Sequence, residues 1–213
     1  MDVSYLTLSV SILEWIAAIC ATYHFNKYKN STERHFVYLL WFTVLVETVG
    51  RSWRYAFESS NFWVYNIYML VLFLFYLYWY QSILEQKTLR KIVWLFAIFF
   101  TGFAVWNFVF ESWDGYHKYT FVIGALLTMI CTLFHFRQLL YGDEVLILKH
   151  KLSFWISTGL LLFNMGMIPL MLLSHNLNFG GKYFGIIILV LNSILYGCYI
   201  IGFQWAKEKY NRF

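Results

Sequence analysis

The chain has 213 residues, of which 61% are hydrophobic and 13% charged, with a formal net charge of +5. A soluble domain carries closer to a quarter charged residues, and a chain of this size could not bury so much apolar surface in water. A water-soluble globule is therefore excluded. The positive charge, which in a soluble protein would point to nucleic acid, lies in short segments between apolar runs; it reads as a topology signal, and no nucleic-acid partner is expected.

Seven apolar runs are long enough for the roughly 17–25 residues that a helix needs to cross a bilayer. They cover approximately 5–23, 35–55, 62–84, 92–110, 119–140, 152–174 and 183–205. The first is preceded by Met1 and Asp2 and followed by Lys27 and Lys29, the reverse of a cleavable signal peptide, so it is expected to be retained. It carries Glu14 near its middle, with Ala18 and Ala21 on the same helical face. The second is the most charged. Thr43, Glu47, Arg51 and Arg54 fall on one stripe at spacings of 4, 4 and 3, and Glu47 to Arg51 is an i, i+4 pair with the acid first, the better orientation. The third holds Asn66 between Tyr65 and Tyr68, and Tyr76, Trp79 and Tyr80 near its far end, where rings favour the headgroup level. The fourth holds Asn107 beside Trp106 and the fifth His135. The sixth has Asn164 one turn before the only proline, Pro169, and the seventh has Asn192, Tyr196 and Tyr199 at i, i+4 and i+7. Cys20, Cys131 and Cys198 lie inside apolar runs, and an odd number so placed argues against a disulfide framework.

Of the 16 Lys and Arg residues, twelve fall in the segments after the first, third and fifth runs and at the C-terminus. The remaining four are Arg51, Arg54, Lys118 and Lys182. Short loops rich in Lys and Arg stay cytoplasmic. The expected architecture is thus all-α: one polytopic transmembrane domain over 1–213, a seven-helix bundle with its N-terminus outside and its C-terminus in the cytoplasm of a cell membrane. The loops are short, so any signal must pass to a partner in the membrane or at the basic inner loops, for example along Arg137, Asp143, Glu144, Lys149 and Lys151.

Polar groups within a span are costly and default to functional candidates, although each can also be glue between two helices. At ~1.5 Å per residue, Glu14 and Glu47 lie at similar depths, with Arg51 within reach above them. Asn66, Asn107, Asn164, Asn192 and Tyr196 fall at comparable heights. The expected site is an outward-facing polar and aromatic cavity formed by these residues with Arg54 at its mouth. Two arginines there would suit an anionic or carboxylate-bearing ligand.

Other chemistries lack their residues. The last span has no lysine for a retinal Schiff base. No two histidines are spaced i, i+3 or i+4, and only His135 sits well inside a span, so neither haem nor metal is expected. Ser157, Thr158 and Gly159 do not form a nucleophile elbow. No cofactor is expected, and catalysis less than binding.

Three stretches, 41–50 (WFTVLVETVG), 154–166 (FWISTGLLLFNMG) and 191–205 (LNSILYGCYIIGFQW), resemble a group of small seven-helix bacterial membrane proteins. The resemblance implies architecture only and carries over no site residues; the expected location is a cell membrane, taken as a bacterial inner membrane. The function expected from the residues is a receptor-like sensor binding a small ligand, for which an anionic group would suit the two arginines, and signalling to a partner. Two alternatives stand beside it: an enzyme or proton-coupled carrier that uses a buried glutamate on a lipid-like substrate, and a structural subunit whose polar groups are helix glue.

Overall fold

In lipid a backbone amide has no water to turn to, so each apolar run must close its hydrogen bonds within itself, which a helix does locally. The computed structural model describes residues 3–141, 145–173 and 181–211. These contain seven long helices and no strand: α1 (Val3–Tyr23), α2 (His35–Phe57), α3 (Phe62–Ile83), α4 (Lys87–Phe110), α5 (Lys118–Tyr141), α6 (Leu152–Leu172) and α7 (Lys182–Trp205), with short 3-10 turns between them. Six of them, all but α2, are long and apolar enough to cross a membrane, which marks a multi-pass membrane protein. Glu47, Arg51 and Arg54 set α2 apart. α4 begins at Lys87, earlier than the apolar run at 92 implies. Lys87, Arg90 and Lys91 extend the helix past its apolar part, because long basic side chains can lay their stems along apolar surface while their charges reach out of it. Asp143 and Glu144 of the expected partner-docking loop lie outside the described residues, as does the last residue of the expected sixth span.

The helices do not pack in simple chain order. α1, α2, α3, α5, α6 and α7 form a closed ring, with α7 returning against α1, while α4 sits outside it and packs chiefly against α3 and α5. The sequence of α4 agrees with that post. Its buried residues, Val93, Phe100, Ala104 and Asn107, make one narrow stripe, and Trp94, Leu95, Ile98, Phe99, Val105 and Trp106 face outward. The tightest packing uses small residues, as expected where lipid supplies no hydrophobic drive between helices. Ala17, Ala18 and Ala21 of α1 are fully buried.

Each end of the bundle is tied by polar side chains that satisfy turn backbone. At the end where α1 begins, here the N end, Asn66 of α3 donates from Nδ2 to the Gly115 carbonyl at 2.9 Å and accepts from the His117 amide at 3.1 Å. At the opposite, C end, Gln138 of α5 accepts from the Glu85 amide at 2.9 Å and donates to the Ile83 carbonyl at 3.2 Å. There too Asn211 accepts from the Leu152 amide at 2.8 Å, capping α6, and donates to the carbonyls of His150 and Lys207. The aromatic cluster expected at the headgroup level of the third span is mostly interior instead. Tyr76, Trp79 and Tyr80 are buried, while Tyr78 on the same turn of the helix is exposed. The reason is polar company within the core. Tyr80 Oη lies 2.6 Å from Thr132 Oγ1 and donates to Ser157 Oγ at 3.2 Å, while His135 Nδ1 lies 2.9 Å from Ser157 Oγ.

Glu33, in the short turn before α2, is fully buried, and neither carboxylate oxygen has a hydrogen-bond partner among the described residues. Ser31 gives its proton to the Tyr28 carbonyl. Burial pushes the Glu33 carboxyl above its ordinary value, against the opposing pull of nearby groups including the Lys151 charge. A folded state that holds a proton more tightly than the unfolded chain loses stability as pH rises from the ordinary carboxylate value toward the folded one. The thermal midpoint is therefore expected to fall over that rise in pH, and more steeply in the wild type than in Glu33→Gln. Parallel pH profiles for the two proteins would contradict this.

Candidate functional site

The ring encloses a cavity of about 370 Å³. Every ring helix contributes to its wall and α4 does not. On α1, α2, α3 and α7 the lining residues recur at three- and four-residue spacing, as one face of a helix must. On α1 they are Thr7, Val10 and Glu14; on α2, Leu40, Thr43 and Glu47; on α3, Tyr65, Tyr68, Leu72 and Tyr76; on α7, Ile188, Asn192, Leu195 and Tyr199. The cavity runs from Leu6, Phe184 and Gly185 near the N end down to Leu39, Tyr76 and Tyr199, past mid-bundle.

Most of this wall is aromatic or aliphatic. Its ionisable pole is formed by Glu14 of α1 and Glu47 of α2. Glu14 is 4% exposed; its Oε1 receives a long contact of 3.5 Å from Tyr196 Oη, and its Oε2 is buried with no hydrogen-bond partner among the described residues. Glu47 Oε2 accepts from Tyr65 Oη at 3.2 Å and lies 3.7 Å from Arg51 Nη2. Around the same chamber, Thr43 Oγ1 and Tyr68 Oη are 2.8 Å apart. Asn192 donates to the Ile188 carbonyl of its own helix, which leaves its side-chain oxygen unspent by that bond. Asn164 is 1% exposed and lines the cavity, and its Nδ2 has no partner among the described residues. Buried polar atoms are normally paired, and Glu14 Oε2 and Asn164 Nδ2, on two residues of this wall, are exceptions.

A smaller hollow of about 250 Å³ lies between α1 and α2, lined by Ser11, Trp15, Val44, Thr48, Arg51 and Ser52. It shares Glu14 and Glu47 with the main cavity. The two carboxylates thus stand as a septum, with the guanidinium of Arg51 on the groove side.

The residues expected at the site separate into three groups. The structure brings Glu14, Glu47, Asn164, Asn192 and Tyr196 together on one cavity wall. Arg51 joins them only through Glu47 and does not line the cavity. Three are placed elsewhere. Arg54 is exposed and outside the cavity wall: seven residues past Glu47 it stays close to the same helical line but lies about 10 Å further along α2, beyond the cavity. Asn66 is spent on the loop before α5, as described above. Asn107 donates to Thr120 Oγ1 at 2.7 Å and links α4 to α5; α4 lies outside the ring, so no residue on it could reach the chamber. Tyr65, Tyr68, Tyr76 and Tyr199 were not singled out as wall residues, although the 65–68–72–76 stripe is legible in the sequence.

Two carboxyl groups share one guanidinium, so the chamber would carry one uncompensated negative charge whenever both are ionised, and a buried charge without a partner is expensive. A single cation beside Glu14 would remove the imbalance, and a cation would also meet the faces of surrounding tyrosines. An anion would add to it. No protein-family model, no curated protein and no solved structure matches this chain, so its functional reading rests on the chemistry of this chamber.

Proposed function

We propose that the protein is a seven-span receptor-like membrane protein that binds a small, largely apolar ligand bearing one cationic head, and passes the change in helix packing to a partner. The observation that carries the reading is the cavity itself: a mostly apolar, aromatic-rich chamber walled by six helices, whose charged wall groups are Glu14 and Glu47, with the one neighbouring arginine outside. The anionic ligand expected from the arginine stripe gives way to a cationic one, because Arg51 and Arg54 do not face the chamber.

On this reading α2 is the seventh span despite its charges. Tyr38, Trp41, Leu45 and Val49 give it an exposed apolar side, while Glu47 and Arg51 neutralise each other along the inward stripe. The distribution of lysine and arginine, twelve against four, supports an N-terminus outside and the C end in the cytoplasm of a bacterial inner membrane. The cavity would then lie toward the exterior.

The test is a matched set of probes on the full chain in lipid nanodiscs: 3-phenylpropylamine, 3-phenylpropanol and 3-phenylpropanoate. They share a body and differ in the charge of the head. The amine is expected to raise the thermal midpoint and to bind at least about tenfold more tightly than the alcohol, a difference of about 1.4 kcal/mol. The carboxylate is expected to be weakest. Equal binding of amine and carboxylate would refute the reading.

A proton-coupled carrier has one observation in its favour: the same two carboxylates face both the cavity and the α1–α2 groove. It would require movement of the amine across sealed proteoliposomes driven by a pH gradient, which a receptor would not give.

A further inference from the structure

A second concavity lies at the C end, far from the acidic chamber and built from different segments. It has a volume of about 570 Å³, and its wall includes Lys27, Lys149, His150, Trp205, Lys207 and Glu208. Lys27 comes from the turn after α1, Lys149 and His150 from the turn before α6, and the rest from the end of α7 and the residues that follow it. Three lysines from three separate segments therefore line one hollow whose wall holds a single glutamate.

The convergence is built by hydrogen bonds rather than left to loose loops. Lys27 Nζ donates to the Gln204 carbonyl at 2.6 Å, which places its charge at the negative end of α7, where a cation is favoured. His150 Nδ1 donates to the Trp205 carbonyl at 3.1 Å, and the Lys207 amide donates to the His150 carbonyl at 3.3 Å. Asn211 Nδ2 donates to that same His150 carbonyl at 3.0 Å. The wall is thus braced across all three segments. Three lysines around one hollow favour an anion within it over a further cation.

Trp205 locates the hollow relative to the bilayer. It is the last residue of an apolar 24-residue helix, it is half exposed, and it packs edge-on to Trp155 at 5.5 Å. Tryptophan at the end of such a helix sits at the headgroup level. We infer that this hollow binds the phosphate group of an anionic phospholipid, with Lys27, Lys149 and Lys207 as the charge partners and Trp205 against the glycerol–acyl boundary. The inference does not depend on the ligand proposed for the acidic chamber.

The experiment uses the full chain in nanodiscs of phosphatidylcholine with or without one-fifth phosphatidylglycerol, read by native mass spectrometry after release from the disc and by thermal midpoint. Phosphatidylglycerol is expected to remain bound at one copy and to raise the midpoint. The triple variant Lys27→Gln, Lys149→Gln, Lys207→Gln should lose both effects, with its helix content unchanged by circular dichroism. A control triple at the same end but outside the hollow, Lys29→Gln, Lys87→Gln, Lys91→Gln, should keep them. Equal loss in the two triples would overturn the proposal, because a general positive surface would suffice. Stabilisation of the detergent-solubilised protein by millimolar inorganic phosphate, lost in the first triple and accompanied by no preference for phosphatidylglycerol, would overturn the lipid assignment and give the hollow to a soluble phosphate. Should the first triple fail to fold, Lys207→Gln alone is expected to shorten lipid retention several-fold relative to Lys207→Arg, and equal retention in those two variants would count against the site.

Discussion

Glu14→Gln is expected to weaken binding of 3-phenylpropylamine by about 10- to 100-fold, while binding of 3-phenylpropanol changes by no more than about twofold. The size follows from the worth of a hydrogen bond to a charged partner in a buried site, about 1.5–3 kcal/mol. The substitution is close to isosteric. The amide oxygen still accepts the contact from Tyr196 Oη, so the chamber keeps its shape and only the charge is lost. Arg51→Gln should act in the opposite direction. Removing the guanidinium that lies 3.7 Å from Glu47 leaves both carboxylates uncompensated, and amine affinity should rise several-fold as the cation takes over the role of Arg51. A sign reversal between two neighbouring charge-removing variants is hard to obtain from general damage to the fold. Calorimetry or quenching of tryptophan fluorescence would read it. Equal amine affinity in wild type and Glu14→Gln would end the case for a cation-binding chamber.

That coupling also indicates how a ligand could be felt elsewhere. Glu14 and Glu47 lie on neighbouring helices and line the hollows on both sides of them. On the proposed reading, a cation beside Glu14 would offset its repulsion with an ionised Glu47 and would let α1 and α2 close. α1 also packs along α7, and α7 ends at the lysine-lined hollow of the C end. Occupancy at one end of the bundle and lipid contact at the other would then share one structural element, a link that requires two measurable arrangements of that element.

How far the sequence foretold this differs between fold and site. The apolar runs placed every long helix, because length and hydropathy are what the bilayer reads. Helix ends were less legible, as at Lys87, since a helix continues for as long as its own hydrogen bonds allow and not only while its residues are apolar. At the site, Glu14 and Glu47 were legible as partners from depth alone. Asn66 and Asn107 were not legible as helix ties, because a polar residue in a span can face a cavity, a loop or a neighbouring helix, and only the packing order decides among them. That order, with α4 outside the ring, leaves a weak trace in sequence: Val93, Phe100, Ala104 and Asn107 look like a buried stripe only once the partner helices are known. Burial of Tyr80 ran against its expected headgroup placement for a similar reason. Its partners, Thr132 and Ser157, come from helices far along the chain.

The packing of α6 on α7 yields the largest expected effect on stability, and one helix supplies both the test and its control. A Cβ placed on Gly202 would come within 2.7 Å of Trp155 Cβ and 3.0 Å of Leu152 Cδ1. Trp155 Cβ cannot rotate away, because it is fixed to the α6 backbone, and Leu152 is fully buried. Relief must come from separating the two helices by several tenths of an ångström, along an interface that is otherwise close-packed. Overpacking of this kind costs about 1–3 kcal/mol. Gly202→Ala should lie near the upper part of that range and Gly202→Val beyond it. Gly197, five residues earlier on the same helix, has nothing within 4 Å of its notional Cβ. There Gly197→Ala removes only the conformational freedom of glycine and should stabilise the helix by roughly 0.5–1 kcal/mol. The same chemical change on one helix should therefore shift the thermal midpoint in opposite directions. Shifts of the same sign and size would mean that α7 does not approach α6 as closely as these contacts require. Trp155→Ala should not rescue Gly202→Ala, because alanine keeps the Cβ that makes the clash; rescue by that variant would locate the strain in the indole ring instead.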